Sequence, residues 1–110
     1  MNVSASSRKR TCVRRGELYT YEPQGSPRQQ LVVIVSSDGV NDSPRPWLLG
    51  VPIRTDDPQD ILAVPIEGHG WADVASLTRF YRRWLAKRVD ALSPTAGEQL
   101  DTALRAALDL

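Results

Sequence analysis

Apolar residues in this chain come in short runs broken by proline, glycine and acidic turns, until a final segment where leucines recur every four residues. Glu17-Leu18-Tyr19-Thr20-Tyr21-Glu22 alternates and is rich in β-formers, which predicts a first strand. Pro23-Gln24-Gly25-Ser26-Pro27 then forces a loop, because proline removes donors and glycine frees the backbone. Leu31-Val32-Val33-Ile34-Val35 is an unbroken, mostly β-branched run, the mark of a strand buried on both faces. Ser36-Ser37-Asp38-Gly39 ends it with turn chemistry, and residues 41–46 continue as an exposed connection. Trp47 to Ile53 reads as a third strand whose Pro52 demands an edge, a bulge or the strand end.

After a loop over residues 55–60, Ile61 to Ile66 reads as a fourth strand. Gly68-His69-Gly70 turns the chain into a fifth, over residues 71–77. Residues 78–92 fit either a short helix followed by a strand or one helix throughout. The end is clearer. Ser93 is a natural N-cap with Pro94 at the first helical position, and Leu100, Leu104 and Leu108 define one amphipathic face beside Ala103 and Ala107. Short strands followed by one packing helix predict a small α+β domain, mainly β, over residues 14–110. The Ser-rich, basic residues 1–13 read as a mobile tail.

Composition narrows the class. At 110 residues there is room for one core, and the single cysteine, Cys12, excludes an intrachain disulfide framework or a four-cysteine zinc site. No apolar run approaches the roughly 20 residues needed to span a bilayer, so the expectation is a cytoplasmic protein without membrane contact. Lys and Arg number 14 and Asp and Glu 13, but this near-balance cancels segregated blocks. Arg8, Lys9, Arg10, Arg14 and Arg15 form one acid-free cluster, and Arg79, Arg82, Arg83, Lys87 and Arg88 another. Residues 56–73 carry Asp56, Asp57, Asp60, Glu67 and Asp73 without a cation. Such blocks are either solvated surface or a basic face for nucleic acid.

Candidate chemistry is sparse. No glycine-rich phosphate loop, histidine pair or nucleophile elbow is present, so neither a nucleotide cofactor nor a metal is expected. His69, the lone imidazole, sits between two glycines on what reads as an exposed, loosely held turn, and could be a surface residue, a proton-transfer group or an RNA contact. Arg28 precedes the buried 31–35 run, where a guanidinium could grip a phosphate or remain solvated. Trp47, Trp71 and Trp84 offer either core mass or stacking faces for bases.

Taken in order, the motifs resemble the MazF/PemK toxins of bacterial toxin–antitoxin pairs, which share the CcdB-like fold. Arg14-Arg15-Gly16-Glu17-Leu18-Tyr19 looks like the family's opening strand, and Arg28-Gln29-Gln30-Leu31-Val32-Val33-Ile34-Val35-Ser36 like its Arg-Pro-x-Leu-Val-Val strand. Ser36-Ser37-Asp38-Gly39-Val40-Asn41 matches the Ser-x-Asp-x-x-Asn turn, and Val51-Pro52-Ile53 the segment before a catalytic Thr or Ser. Val89 to Leu110 resembles the closing strand, Ser-Pro turn and long helix.

The resemblance implies a small, curved, antiparallel SH3-like barrel or sheet packed by the C-terminal helix. It also implies a homodimer, a cognate antitoxin, and metal-independent, sequence-specific cleavage of single-stranded RNA. Arg28 takes the place of the family's catalytic arginine. Arg54 stands where the Thr or Ser is expected and Thr55 follows one place late, able to serve if a bulge or the strand end re-aims it. Ala75 occupies the place of an acid that some members use, leaving His69 or Asp73 for proton transfer. The expected set is Arg28, Thr55 and His69 for catalysis, with Arg54, Arg79, Arg82, Arg83 and Lys87 on the RNA. The block over residues 79–88 is expected to form one positive surface toward RNA or antitoxin, with the 56–73 acids elsewhere. The alternative on the same fold is a binder without nuclease activity, directed at gyrase, antitoxin or nucleic acid.

Overall fold

The computed structural model describes residues 12–24 and 29–108. Arg28 and most of the basic segment assigned to a tail lie outside that range. Strands β1 (Glu17–Tyr21), β2 (Gln30–Ile34), β3 (Trp47–Arg54), β4 (Ala63–Ile66), β5 (Gly70–Asp73), β6 (Thr78–Tyr81) and β7 (Leu85–Ala91) form a seven-stranded antiparallel sheet. Helix α1 (Asp38–Asn41) is a single turn, and helix α2 (Pro94–Leu108) closes the chain. The main path runs β4-β5-β3-β2-β1-β7, with β6 paired to β3 off that path.

β3 organises everything else. One edge pairs β2, while the other is shared: residues 47–50 face β6 and residues 53–54 face β5. Pro52 falls between those two partners. Leu49 directs its carbonyl to Val35 N–H on the β2 side, so alternation turns the missing donor of Pro52 toward the gap. β4 ends the sheet, which explains why it tolerates Pro65.

The 31–35 run is indeed buried on both faces. Val33 and Val35 join Leu18, Val51 and Ile53 beneath Leu100, Ala103 and Leu104 of α2. Val32 and Ile34 face the opposite side, where two smaller cores gather Tyr21 and Phe80, and Val13 and Leu48. Val13 is only 1% exposed, so the last residue assigned to the tail belongs to the core. Both Val35 and Ser36 donate to the Leu49 carbonyl, a bulged pairing that ends β2 one residue early. At the start of α2, Ser93 Oγ accepts from Ala96 N–H at 3.1 Å, the cap its sequence predicts.

Three elements depart from the expected pattern. Residues 74–76 leave the fifth strand as a 3-10 turn, and residues 78–81 form a strand rather than a helix. The connection after β2 contains α1, capped by Ser37, and its Asn41 is 1% exposed rather than solvated. Asn41 Nδ2 donates to the Ser36 carbonyl (3.0 Å) and to Asp38 Oδ1 (3.1 Å), while Ser36 Oγ donates to Asn41 Oδ1. Asp38 Oδ1 also accepts from Arg15 N–H at 2.9 Å. The Ser-x-Asp-x-x-Asn motif is therefore a loop knot rather than chemistry. Asn41→Ala strips buried groups of their partners and should cost about 2 kcal/mol, read from the urea midpoint.

Candidate active site

β3 delivers Arg54 at its end and Thr55 just beyond it. Released from the strand's alternation, Thr55 lines an open cleft of about 440 Å³ together with Arg54, Asp56, Gln29 and His69. Gln29, the first described residue after the stretch over residues 25–28, lines the cleft, and Arg28 lies outside the described residues. The late position of Thr55 is thus compatible with a shared site. Arg54 is half-exposed and lies 3.7 Å from Asp73 Oδ2, and Asp73 in turn accepts from Ser76 Oγ at 2.9 Å. Asp73 is buried and braces Arg54 from outside the cleft lining. Ala75 lies exposed on the 3-10 turn and lines nothing here.

His69 is not the loosely held residue its glycine neighbours suggest. Gly68 and Gly70 both take positive φ, 83° and 129°, which bends the β4–β5 turn back on itself. Nε2 of His69 then meets Asp90 Oδ2 of β7 at 2.9 Å, leaving the imidazole 24% exposed. β5 and β7 sit near opposite ends of the strand order, so this contact clasps the curved sheet across its helix-side face. An ionised carboxylate can only accept, so Nε2 carries the proton and Nδ1 is left as the basic nitrogen. Sequence reasoning missed Asp90, 21 residues away, because nothing local announces a contact made by sheet closure.

The His69 hydrogen bond, then the Ala91 N–H, hold Asp90 below the ordinary carboxylate range. Arg15 N–H, then Asn41, do the same for Asp38. A carboxyl depressed in the folded state binds fewer protons than the unfolded chain, so its stabilisation is present above the ordinary value of about 4 and lost below it. Thermal midpoints should fall as pH drops through that region, and Asp90→Asn should flatten the fall.

The basic block does not form one surface. Arg82 turns inward: Nη2 donates to the carbonyls of Val40 (3.1 Å) and Ser43 (2.9 Å), and Nε donates to that of Arg45. Burial lowers its pKa from the ordinary value. It is a clamp on the 40–45 loop. Arg88 is engaged with Glu17 at 2.7 Å. Lys87, opposite Thr20, shares a sheet face with Leu31 of the cleft. Arg79 and Arg83 lie exposed toward the other end of β3. Asp56 and Asp73, of the acidic stretch over residues 56–73, flank Arg54 rather than any cation of that block.

A curved antiparallel sheet, one long C-terminal helix and this cleft can be set against solved structures. A mycobacterial endoribonuclease in complex with its cognate antitoxin superposes with a TM-score of 0.79 at 19% identity, covering 89% of this chain and 96% of that one. The chain has the fold of the MazF toxins. Toxin MazF-mt6 of Mycobacterium tuberculosis gives 0.73 at 15% identity over 86% of this chain and 97% of that one. MazF of Deinococcus radiodurans gives 0.74 at 12% identity over 90% and 98%. No family model and no curated protein matches the sequence. The MazF-like fold confirms the expected architecture, a mainly β sheet with a packing helix. Among the described residues, no helix is long and apolar enough to cross a membrane.

Proposed function

We propose that this chain is a MazF-type toxin, an endoribonuclease that cuts single-stranded RNA at preferred sequences without a metal and is silenced by a cognate antitoxin. The convergence of Thr55, His69 and Arg54 on one cleft that Gln29 also lines carries this reading. His69 Nδ1 takes the proton of the ribose 2′-hydroxyl, whose oxygen forms a bond to the adjacent phosphorus. The bond from phosphorus to the 5′-oxygen breaks, that oxygen takes a proton, and the products are a 2′,3′-cyclic phosphate and a 5′-hydroxyl. Arg28 and Arg54 offset charge growing on the phosphoryl oxygens, and the Thr55 hydroxyl orients the phosphate. Asp73 holds Arg54 in place, and Lys87 lies beside the path of the strand. The protein works as a homodimer.

Purified protein incubated with mixed-sequence single-stranded RNA in excess chelator should generate cyclic phosphate ends. Arg28→Ala should reduce their formation at least about 100-fold, the scale of losing one preorganised electrostatic group. Intact RNA with wild-type protein overturns the nuclease reading, and undiminished cleavage by Arg28→Ala overturns the site assignment.

A further inference from the structure

At the far end of β3 from the cleft, roughly 20 Å away at about 3.3 Å per residue, a second cationic surface is assembled. Trp47 pairs with Tyr81 and Leu49 with Arg79, so Trp47, Arg79 and Tyr81 share one sheet face. Two guanidiniums stack on the same indole: Arg45 at 5.2 Å from the Trp47 ring centre and Arg79 at 5.5 Å. Arg83 lies 4.9 Å over Trp84, which meets Tyr81 edge-on at 5.4 Å. Arg45, Arg79 and Arg83 are exposed, and among the described residues none of them is in an ion pair. The inward-turned Arg82 clamps the backbone that carries Arg45 against Trp47, and Arg82 N–H also holds the Pro46 carbonyl at 2.9 Å.

Guanidiniums free of ion pairs and seated over aromatic rings suit alternating phosphates and base faces, whereas a solvated lysine-type patch would offer charge alone. We propose that Arg45, Trp47, Arg79, Tyr81 and Arg83 form a second RNA subsite that grips single-stranded nucleotides outside the scissile step. This rests on the RNA reading above but concerns binding rather than cleavage. The subsite adds length-dependent affinity and leaves the chemistry to the cleft.

The test uses a fully 2′-O-methylated RNA of about 15 nucleotides, which cannot be cleaved and is long enough for one such binding mode. Binding is followed by fluorescence anisotropy over a salt series. The double variant Arg45→Gln/Arg79→Gln should bind at least tenfold more weakly, and the slope of log K against log salt should shrink by about 1.4 for two lost cations. Arg45→Lys/Arg79→Lys should keep the slope yet still lose affinity, because charge remains and the planes do not. Unchanged affinity and slope in the glutamine variant overturns the subsite. So does loss of binding to polyglutamate with RNA binding intact, which would reassign the surface to an acidic protein partner. Because the probe is uncleavable, a wild-type protein that binds it through these arginines but never cuts RNA would refute the nuclease reading alone.

Discussion

Replacing His69 with Ala should lower RNA cleavage by about 100- to 10,000-fold, the usual contribution of a positioned proton-transfer group. The fold should barely notice. His69 and Asp90 form a partly exposed pair, and solvent screening leaves such pairs a small share of the stability. Near-ultraviolet circular dichroism and the thermal midpoint should therefore stay close to wild type while cyclic phosphate formation collapses. Asp90→Asn is a milder lesion. It keeps a hydrogen-bonding side chain opposite Nε2 but no longer obliges that nitrogen to carry the proton. The nitrogen-15 shifts of the ring should report a mixed tautomer, with a cleavage loss of about tenfold. Full activity in His69→Ala would return the imidazole to a purely structural clasp.

The contrast between His69 and Arg82 shows what a linear pattern conveys. Strands β1 to β4 and helix α2 were legible because their signals are local: alternation, β-branching, proline placement and the Ser93-Pro94 cap. β6 was hidden because only Phe80 of Thr78–Tyr81 is buried, leaving too short a period to recognise. β7 is an edge strand, partly covered at Leu85 and exposed from Ala86 to Ala91, so it has almost no apolar rhythm. Arg82 looked like its neighbours in a basic block. It became a clamp only because α1 and its following loop bring three carbonyls within reach. Thr55 was recoverable as a candidate only through the resemblance of Val51-Pro52-Ile53 to the family's segment before a catalytic Thr or Ser, yet its access to the cleft depended on where β3 ends.

Gly70→Ala should be the most damaging single substitution in the described chain, with a stability loss of about 3 kcal/mol or more and cleavage falling alongside. Two independent reasons combine. Gly70 holds φ at 129°, a region that side-chain-bearing residues rarely enter. A Cβ built there would stand 2.1 Å from the Arg54 carbonyl oxygen and 3.4 Å from Ile53 Cγ2. The first of these is backbone, which has no rotamer to escape into, so β5 must retreat from β3. That retreat pulls apart the pairing of Arg54 with Trp71 and moves His69, one residue earlier, away from Asp90 and Thr55. Gly68→Ala provides the control. Gly68 also has positive φ, 83°, but nothing lies within 4 Å of its virtual Cβ, so only the backbone strain of about 1 kcal/mol should appear. Urea midpoints for the two variants would separate close approach from conformational preference, and equal losses would show that the contact with Arg54 relaxes freely. If Gly70→Ala folds at low temperature, its cleavage rate should lie well below that of Gly68→Ala at equal folded fraction, because the same displacement that weakens the sheet also opens the cleft.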